Sequence, residues 1–479
     1  MNSTDLAFTP ALQQAQLIRS KEISPLDLVQ LYLERIEQLD AKLGSYAFVA
    51  ADQAIADAKA KTEWLAGTRD DLPPFFGVPI SIKDLNPVGG MPCTYGLKVL
   101  KTQIAAQDDG VVSRIKQAGF VILGKTLPSQ MGMLPYSEPG GFPPARNPWN
   151  LAYTPGGSSG GAAAALAAGL CAISQGSDGG GSIRGPAFCC GLVGIKPSRG
   201  RVSMAPFFGD RLNGLATNGP LGRTVADAAA LLDALSGYTP GDPYWLPKPD
   251  PTFSTVITSP PVALRIGLIT AIPPFGEADS VCRQAVLDTA TLLEALGHSI
   301  EPISFPDLTE LIDPFTTIMQ TVLDEARIPE FVLDKVNRWL RFRARFSTCG
   351  NYLRAVAKMQ SISRRIVESF DPIDVLLLPT YLHPTIRIGE WADLSAKQTL
   401  EAITRWIAPC PPFNATGQPA IALPAGFTPN GLPLGIQLVG RPAAESTLLA
   451  LAAQIEAAKP WYHHHPDFAS EGWDGDGRG

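Results

Sequence analysis

The chain has 479 residues, of which 45% are hydrophobic and 18% charged, so it has enough apolar material for a sizeable folded core. Its net charge of −6 argues against a nucleic-acid partner, because proteins that bind phosphate backbones present a basic face. No apolar run approaches the roughly 20 residues that a membrane-spanning helix requires, so we expect no membrane association.

The first well-marked helix is predicted to begin at Ser24 and to run to about residue 40. Ser24 is a typical N-cap, Pro25 suits the first helical position, and Asp27 places an acid in the first turn. Apolar residues then recur at steps of three and four, as they do along one face of a helix. A second helix is expected over the Ala-rich stretch 50–66.

Short apolar runs alternate with helical patterns along the rest of the chain, which indicates an α/β protein built around a mixed sheet. Strands are predicted at 77–83, 120–123, 192–195, 264–269, 374–378, 419–423 and 434–438, and helices at 110–118, 160–170, 224–236 and 444–457. The Pro-rich stretch 239–263 is expected to be a surface loop within one domain rather than a boundary between two. We predict a single domain over residues 1–464, followed by a flexible, Gly-rich tail at 465–479.

The cysteines and histidines restrict the chemistry. The seven cysteines are scattered without CxxC spacing, which is typical of free thiols in a reducing compartment, so we predict a cytoplasmic location. The first of the five histidines is His298, far beyond the Gly-rich motifs described below. This position argues against a metal site or a Ser-His-Asp triad in the first half of the chain. We expect no metal and no organic cofactor.

The first of three candidate motifs, Gly119 to Thr126, formally matches the phosphate-binding P-loop. A P-loop works because small residues turn their N–H groups onto phosphates after a strand has ended. Here the four variable positions are Phe, Val, Ile and Leu, so the strand is expected to continue through the motif. We therefore reject nucleotide binding at this position.

The second motif, Gly156 to Gly160, fits the nucleophile elbow G-x-S-x-G around Ser158. An elbow requires an apolar strand that leads into the serine and a histidine later in the chain. Residues 150–155 do not form a convincing strand, and His383 is the only plausible downstream base. The elbow interpretation is therefore the weaker one.

The third candidate is a combination of motifs. An apolar strand closes on Lys83, the loop 156–161 reads GGSSGG, and the loop 176–184 reads GSDGGGSIR. The glycines before Ser182 let several backbone N–H groups converge without obstruction by side chains, and the dipole of a helix beginning at Ser182 would add positive potential there. This arrangement is typical of an oxyanion hole with its nucleophile attached.

Residues 75–225 resemble the signature core of the amidase-signature family of serine amidases, and the similarity extends over nearly the whole chain. Within the family the chain most resembles the bacterial-type small-amide hydrolases and the 6-aminohexanoate-cyclic-dimer hydrolase branch. The matching segments, beyond the two Gly-rich loops, are Arg146 to Asn150, Gly194 to Pro197, Gly219 to Asp227 and Pro412 to Pro424. The resemblance implies the family's fold, a central mixed sheet covered by helices on both faces.

The resemblance also implies the roles of individual residues. It places the catalytic triad on Lys83, Ser158 and Ser182, with a cis peptide bond at Ser158 and an acyl-enzyme formed on Ser182. The oxyanion hole would consist of the backbone N–H groups of Gly179, Gly180, Gly181 and Ser182. Three further residues would support the site: Ser159, Asp178 and Arg184. The implied activity is hydrolysis of a non-peptide carboxylic amide, with a small-molecule amide as the partner; a homodimer is left open.

Two alternatives remain. The glutaminase (A) subunit of a tRNA-dependent amidotransferase shares this signature, but it would need partner subunits and an acid-and-Arg site for glutamine. The apolar Leu127 and Met131 argue against such a site. A non-catalytic binding protein with the same fold would not need Lys83, Ser158 and Ser182 together. Loops within 130–145, 200–215 and 315–350 are expected to supply the substrate pocket.

Overall fold

The computed structural model of the protein describes residues 2–67 and 72–468, so residues 469–479 of the predicted tail lie outside the described residues. The helices are α1 Ser3–Phe8, α2 Ala11–Arg19, α3 Pro25–Leu43, α4 Ala51–Gly67, α5 Gly110–Gln117, α6 Gly160–Ala167, α7 Arg184–Cys190, α8 Val225–Leu235, α9 Phe253–Val256, α10 Ser280–Ala295, α11 Thr309–Glu325, α12 Lys335–Ala344, α13 Cys349–Ser369, α14 Ala396–Trp406, α15 Pro411–Thr416 and α16 Glu445–Ala458. The strands are β1 Tyr46–Val49, β2 Pro79–Lys83, β3 Val121–Thr126, β4 Ile173–Asp178, β5 Val193–Lys196, β6 Thr217–Gly222, β7 Arg265–Leu268, β8 Ala271–Ile272, β9 Gly276–Glu277, β10 Ser299–Pro302, β11 Val375–Pro379, β12 Ala420–Phe427 and β13 Pro433–Gly440.

A mixed sheet of eleven described strands forms the centre of the protein, in the order β1-β3-β2-β4-β6-β5-β12-β13-β11-β7-β10. Strands β2, β3 and β4 run parallel, as do β11, β7 and β10, while the strands between them are antiparallel. Helices cover the sheet, which confirms the predicted α/β class. None of the described helices is long and apolar enough to cross a membrane.

Local sequence signals account for the well-predicted helices. Helix α3 begins as predicted, because Ser24 and Asp27 form a capping box in which each side chain accepts from the other's backbone N–H. It ends at Gly44, whose positive φ of 59° is the left-handed conformation that glycine adopts most readily. Helix α4 also lies close to its predicted bounds.

The formal P-loop match is a strand, as predicted. Strand β3 runs from Val121 through Thr126 and is buried along its length. The Lys125 ammonium lies 2.6 Å from the Asp84 carboxylate, and both side chains are buried. Lys125 therefore belongs to an internal ion pair of the sheet.

Two strands next to the site do not follow from hydrophobic pattern. Strands β4 and β6 have the sequences ISQGSD and TNGPLG, which are polar and rich in glycine. They pair with each other antiparallel and are almost entirely buried. Their burial comes from their neighbours in the sheet and from α6, which local sequence cannot show.

Candidate active site

Lys83 is the last residue of β2, and its side chain is fully buried. Its Nζ donates to Ser158 Oγ at 2.8 Å, to Ser177 Oγ at 3.0 Å and to the Ser177 carbonyl at 3.2 Å. Its nearest hydrogen-bonding partners are therefore neutral oxygens rather than a carboxylate. Burial lowers the pKa of Lys83 to about 7; the Asp178 charge opposes this shift and the Arg211 charge adds to it. A substantial fraction of the amine is therefore neutral near pH 7.

Ser158 lies on the loop that leads into α6, and the Gly157–Ser158 peptide bond is cis. Its side chain is only 1% exposed, so the Lys83–Ser158 hydrogen bond is shielded from water. The neighbouring Ser159 Oγ donates to the Ser177 carbonyl at 3.2 Å, and the Ser159 N–H donates to the Ser182 carbonyl at 3.2 Å. The two Gly-rich loops are therefore bonded to each other.

Ser182 follows β4 on the second Gly-rich loop, and its side chain is half-buried. Helix α7 begins at Arg184 with Ile183 at its N-cap, so Ser182 lies just before the helix and does not begin it. Within the described part of the chain, Ser182 Oγ has no hydrogen-bond partner, and Ser182 and Ser158 line the same cavity. The hydroxyl is therefore available to a bound molecule.

Gly181, directly before Ser182, is required by space as well as by conformation. Gly181 has φ 121°, and a Cβ there would lie 2.8 Å from Cys410 Cβ. The Gly181 N–H donates to Asp178 Oδ1 at 2.7 Å, so this predicted oxyanion donor is already engaged. Among the described residues, the N–H groups of Gly179, Gly180 and Ser182 have no partner, and all three residues line the cavity.

Asp178 and Arg184 form a fully buried ion pair, with Arg184 Nη2 2.9 Å from Asp178 Oδ1. Burial alone would raise the pKa of Asp178, but the Arg184 guanidinium holds it well below its ordinary value. Asp178 also accepts from the Ile183 N–H at 3.1 Å, which fixes the chain on either side of Ser182. The pair thus braces the loop that carries Ser182.

Residues distant in sequence complete this brace. Arg184 donates to Asn414 Oδ1 at 2.5 Å and to Gln437 Oε1 at 2.6 Å, and Asn414 donates to Asp178 Oδ1 at 2.9 Å. The sequence analysis did not single out Asn414, Gln437 or Ser177. Asn414 lies inside the matched segment from Pro412 to Pro424, and Ser177 directly precedes Asp178. These two positions are the sequence signals that could have identified Asn414 and Ser177.

The cavity above Ser182 has a volume of about 170 Å³ and is mainly apolar. Its lining includes residues from the three predicted segments, among them Met131, Phe208 and Phe315, but Phe315 lies on helix α11 and not on a loop as expected. Helix α14 contributes Ile403, and the residue that follows the helix contributes Ile407. The sequence analysis missed both, because a local apolar pattern does not show which cavity it faces. Leu127 is buried away from the cavity.

The described part of the structure does not support a histidine base or a metal ion at this site. His383 stacks on Trp406 with ring centroids 5.6 Å apart, and its Nδ1 lies 3.0 Å from the Pro384 carbonyl oxygen. It is absent from the described lining of the cavity that holds Ser158 and Ser182. The described residues also hold no group of three or more His, Cys, Asp and Glu side chains placed to bind a metal ion.

Comparisons with known proteins identify the family of the chain and agree with its fold. The sequence model of the amidase family matches residues 27–449. A putative amidase of Synechocystis is 52% identical over 455 residues, which is 95% of this chain and 89% of that protein. The 6-aminohexanoate-cyclic-dimer hydrolase of Paenarthrobacter ureafaciens is 34% identical, covering 97% of this chain and 98% of the relative. A solved structure of 6-aminohexanoate cyclic dimer hydrolase complexed with substrate superimposes with a TM-score of 0.90 and 31% identity, covering 97% of this chain and 100% of the other.

Proposed function

Because the chain belongs to the amidase family and is a hydrolase of amide C–N bonds, we propose that Ser182 is its nucleophile and that Lys83 is its general base, acting through Ser158. The observation that carries this proposal is the hydrogen bond from Lys83 Nζ to Ser158 Oγ, made by a lysine without a carboxylate partner. A lysine whose pKa lies near 7 has the lone pair that a general base needs. Ser158 is the group through which that base can reach the cavity.

The hydrolysis then proceeds in a defined sequence of proton transfers and bond changes. As Ser182 Oγ attacks the amide carbonyl, its proton passes to Ser158 and the Ser158 proton passes to Lys83 Nζ. The proton returns along the same path to the amide nitrogen, and the C–N bond breaks. Water then attacks the acyl-enzyme by the same relay and releases the carboxylic acid. Ser182 has no hydrogen bond to Ser158 in the described residues, so the relay requires a side-chain rotation on substrate binding.

The oxyanion that develops on the amide carbonyl requires hydrogen-bond donors that are already in position before the reaction. We propose that the N–H groups of Gly179, Gly180 and Ser182 supply them, since the Gly181 N–H is held by Asp178. Asp178 and Arg184 act as positioning residues, because their contacts are to the loop and to each other. Ser159 has the same kind of role through its bonds to Ser177 and Ser182.

The cavity lining favours an amide with an apolar acyl group. Purified protein should be assayed against a panel of linear, aryl and cyclic amides that includes glutamine and matched esters. We expect hydrolysis of several apolar amides without added subunits and no preference for glutamine. Activity that requires partner proteins and is selective for glutamine would instead identify the glutaminase subunit of an amidotransferase, and inactivity across the panel would indicate a binding protein.

We further propose that the reaction needs no metal or organic cofactor and that the enzyme is cytoplasmic and organised as one domain. All seven cysteines are free thiols, which supports a reducing compartment. The continuous central sheet, which joins strands from residue 46 to residue 440, supports a single domain. Chelators should leave the activity of the purified enzyme unchanged, and loss of activity that zinc restores would refute the cofactor-free mechanism.

A further inference from the structure

The cavity above Ser182 has an apolar wall and a polar wall. The apolar wall is contributed by α11, α12 and the C-terminal part of α14 with the residue after it, through Phe315, Met319, Leu340, Ile403 and Ile407. The polar wall holds four side chains with charge or amide groups: Asn86, Asp109, Arg211 and Asn218.

The two walls meet at the loop that carries the nucleophile. A Cβ on Gly179 would lie 3.4 Å from Leu212, the neighbour of Arg211. A Cβ on Gly180, the next residue, would lie 3.3 Å from Phe315 of the apolar wall. Successive residues before Ser182 thus contact Leu212, from the segment that carries Arg211, and Phe315, from the apolar wall. A bound amide that reaches Ser182 therefore lies between the segment that carries Arg211 and the apolar wall.

Three of the four polar side chains are hydrogen-bonded to other groups of the protein. Gln175 Nε2 donates to Asn86 Oδ1 and to Asn218 Oδ1, each at 3.1 Å. Asp109 accepts from Asn86 Nδ2 at 3.2 Å on one oxygen and from the Val111 N–H at 3.1 Å on the other. Both oxygens of Asp109 are therefore engaged, and its carboxylate caps α5.

Arg211 is different. Within the described part of the chain its guanidinium has neither an ion-pair partner nor a hydrogen-bond acceptor, and it lies 4.5 Å from the ring centroid of Phe208. Its side chain is half-buried and lines the cavity. A guanidinium presents parallel N–H groups that match a carboxylate. The Arg211 charge reaches Asp109, but both oxygens of that carboxylate are bonded to other groups. The N–H groups of the guanidinium are therefore available to the carboxylate of a ligand.

The position of Arg211 also indicates which part of an amide would carry that carboxylate. The proton relay delivers its proton to the leaving nitrogen, so the amine portion of the substrate lies on the side of Lys83 and Ser158. The polar wall to which Arg211 belongs lies on this side, because the Lys83 backbone N–H donates to Gln175 Oε1 at 3.2 Å and Gln175 Nε2 donates to Asn218 of that wall. The acyl portion then faces the apolar wall.

We propose that Arg211 binds a carboxylate on the amine portion of the substrate, so that the preferred substrates are amino acids N-acylated with an apolar chain. This inference rests on the proposed function of the Ser182 site. One water is consumed, the acyl C–N bond breaks, the nitrogen receives the relayed proton, and a fatty acid and a free amino acid are released.

The test compares two amides of one acyl chain, N-octanoylglycine and the uncharged N-octanoylpropylamine, at pH 9, where Lys83 is neutral. The measured quantity is the ratio of their kcat/KM values. Removing Arg211 raises the pKa of Lys83 for both substrates alike, so the ratio isolates recognition of the carboxylate. We expect the wild-type ratio to favour N-octanoylglycine.

Arg211→Gln should lower this ratio about 10- to 100-fold, chiefly through KM, as expected for a lost hydrogen-bonded charge pair. Arg211→Lys should give an intermediate ratio, because an ammonium keeps the charge but not the planar fork. Arg283→Gln removes the same charge from the exposed face of α10 and should leave the ratio unchanged. A wild-type ratio that favours the propylamide, or a ratio that Arg211→Gln does not change, would overturn the proposal.

A binding measurement separates this inference from the proposed function. Calorimetry with the Ser182→Ala variant should show tighter binding of N-octanoylglycine than of the propylamide, and Arg211→Gln in that background should abolish the difference. Arg211-dependent binding by a wild-type protein that hydrolyses no amide would refute the proposed function alone. Hydrolysis of the amide panel without selective binding of N-octanoylglycine would refute this inference alone.

Discussion

Lys83 Nζ and Ser158 Oγ lie 2.8 Å apart, and both residues are buried. Lys125 is equally buried, but its ammonium lies 2.6 Å from the Asp84 carboxylate. A carboxylate stabilises the charged ammonium, whereas hydroxyl and carbonyl oxygens compensate burial only in part. The two neighbouring strands thus carry one lysine suited to an ion pair and one suited to proton transfer.

Ser182→Ala is expected to abolish amide hydrolysis while the protein stays folded. The hydroxyl has no partner in the described residues, so its removal leaves no buried group unsatisfied. We expect kcat to fall at least about 10⁴-fold, with the melting temperature close to that of the wild type. Ser159→Ala is the matched control, and its loss should be much smaller because Ser159 contacts the loop and not the substrate. Equal losses in the two variants would contradict the assignment.

The activity should depend on pH through Lys83. Only the neutral amine accepts a proton, and its fraction rises as the pH passes the pKa of about 7. For the free enzyme, kcat/KM should therefore rise about tenfold per pH unit below pH 7 and level off above it. A profile that falls across this range, or one without an inflection between pH 6 and 8, would argue against a lysine base.

Lys83→Arg should lower kcat/KM at least about 10²- to 10⁴-fold, because a guanidinium cannot deprotonate in a protein. His383→Ala should retain most of the activity, since its ring stacks on Trp406 outside the described cavity lining. Circular dichroism of both variants checks that the fold is intact. Near-normal activity in the arginine variant, together with collapse in the alanine variant, would restore the histidine-dependent alternative.

Asp178→Asn should destabilise the protein, because it leaves the buried Arg184 guanidinium without its counter-charge. Breaking a buried pair in this way costs about 3–5 kcal/mol, which denaturant unfolding can measure. Glu310→Gln breaks the exposed pair with Arg365 and serves as the control, with an unchanged unfolding midpoint. Similar midpoints for both variants would mean that the Asp178–Arg184 pair does not brace the fold.

The sequence was sufficient for the parts of the site that depend on local chemistry. The strand that ends at Lys83 and the glycines ahead of Ser182 have patterns that elementary rules interpret, and strand β2 lies close to its predicted position. The brace around Arg184 could not be derived in this way, because its partners Asn414 and Gln437 are 230 and 253 residues away. The same holds for the apolar wall, since amphipathic helices such as α11 and α14 reveal a buried face but not the cavity that it lines.

The most direct test of the central claim is the rate at which a serine-directed fluorophosphonate labels the enzyme, followed by mass spectrometry as a function of pH. This measurement needs no knowledge of the substrate. Our account predicts a single adduct on Ser182, a labelling rate that rises with pH through about 7, and a rate at least about 10²-fold lower in Lys83→Met. An adduct on Ser158, or a Lys83→Met variant that is labelled as fast as the wild type, would contradict the assignment of Ser182 as nucleophile and Lys83 as base.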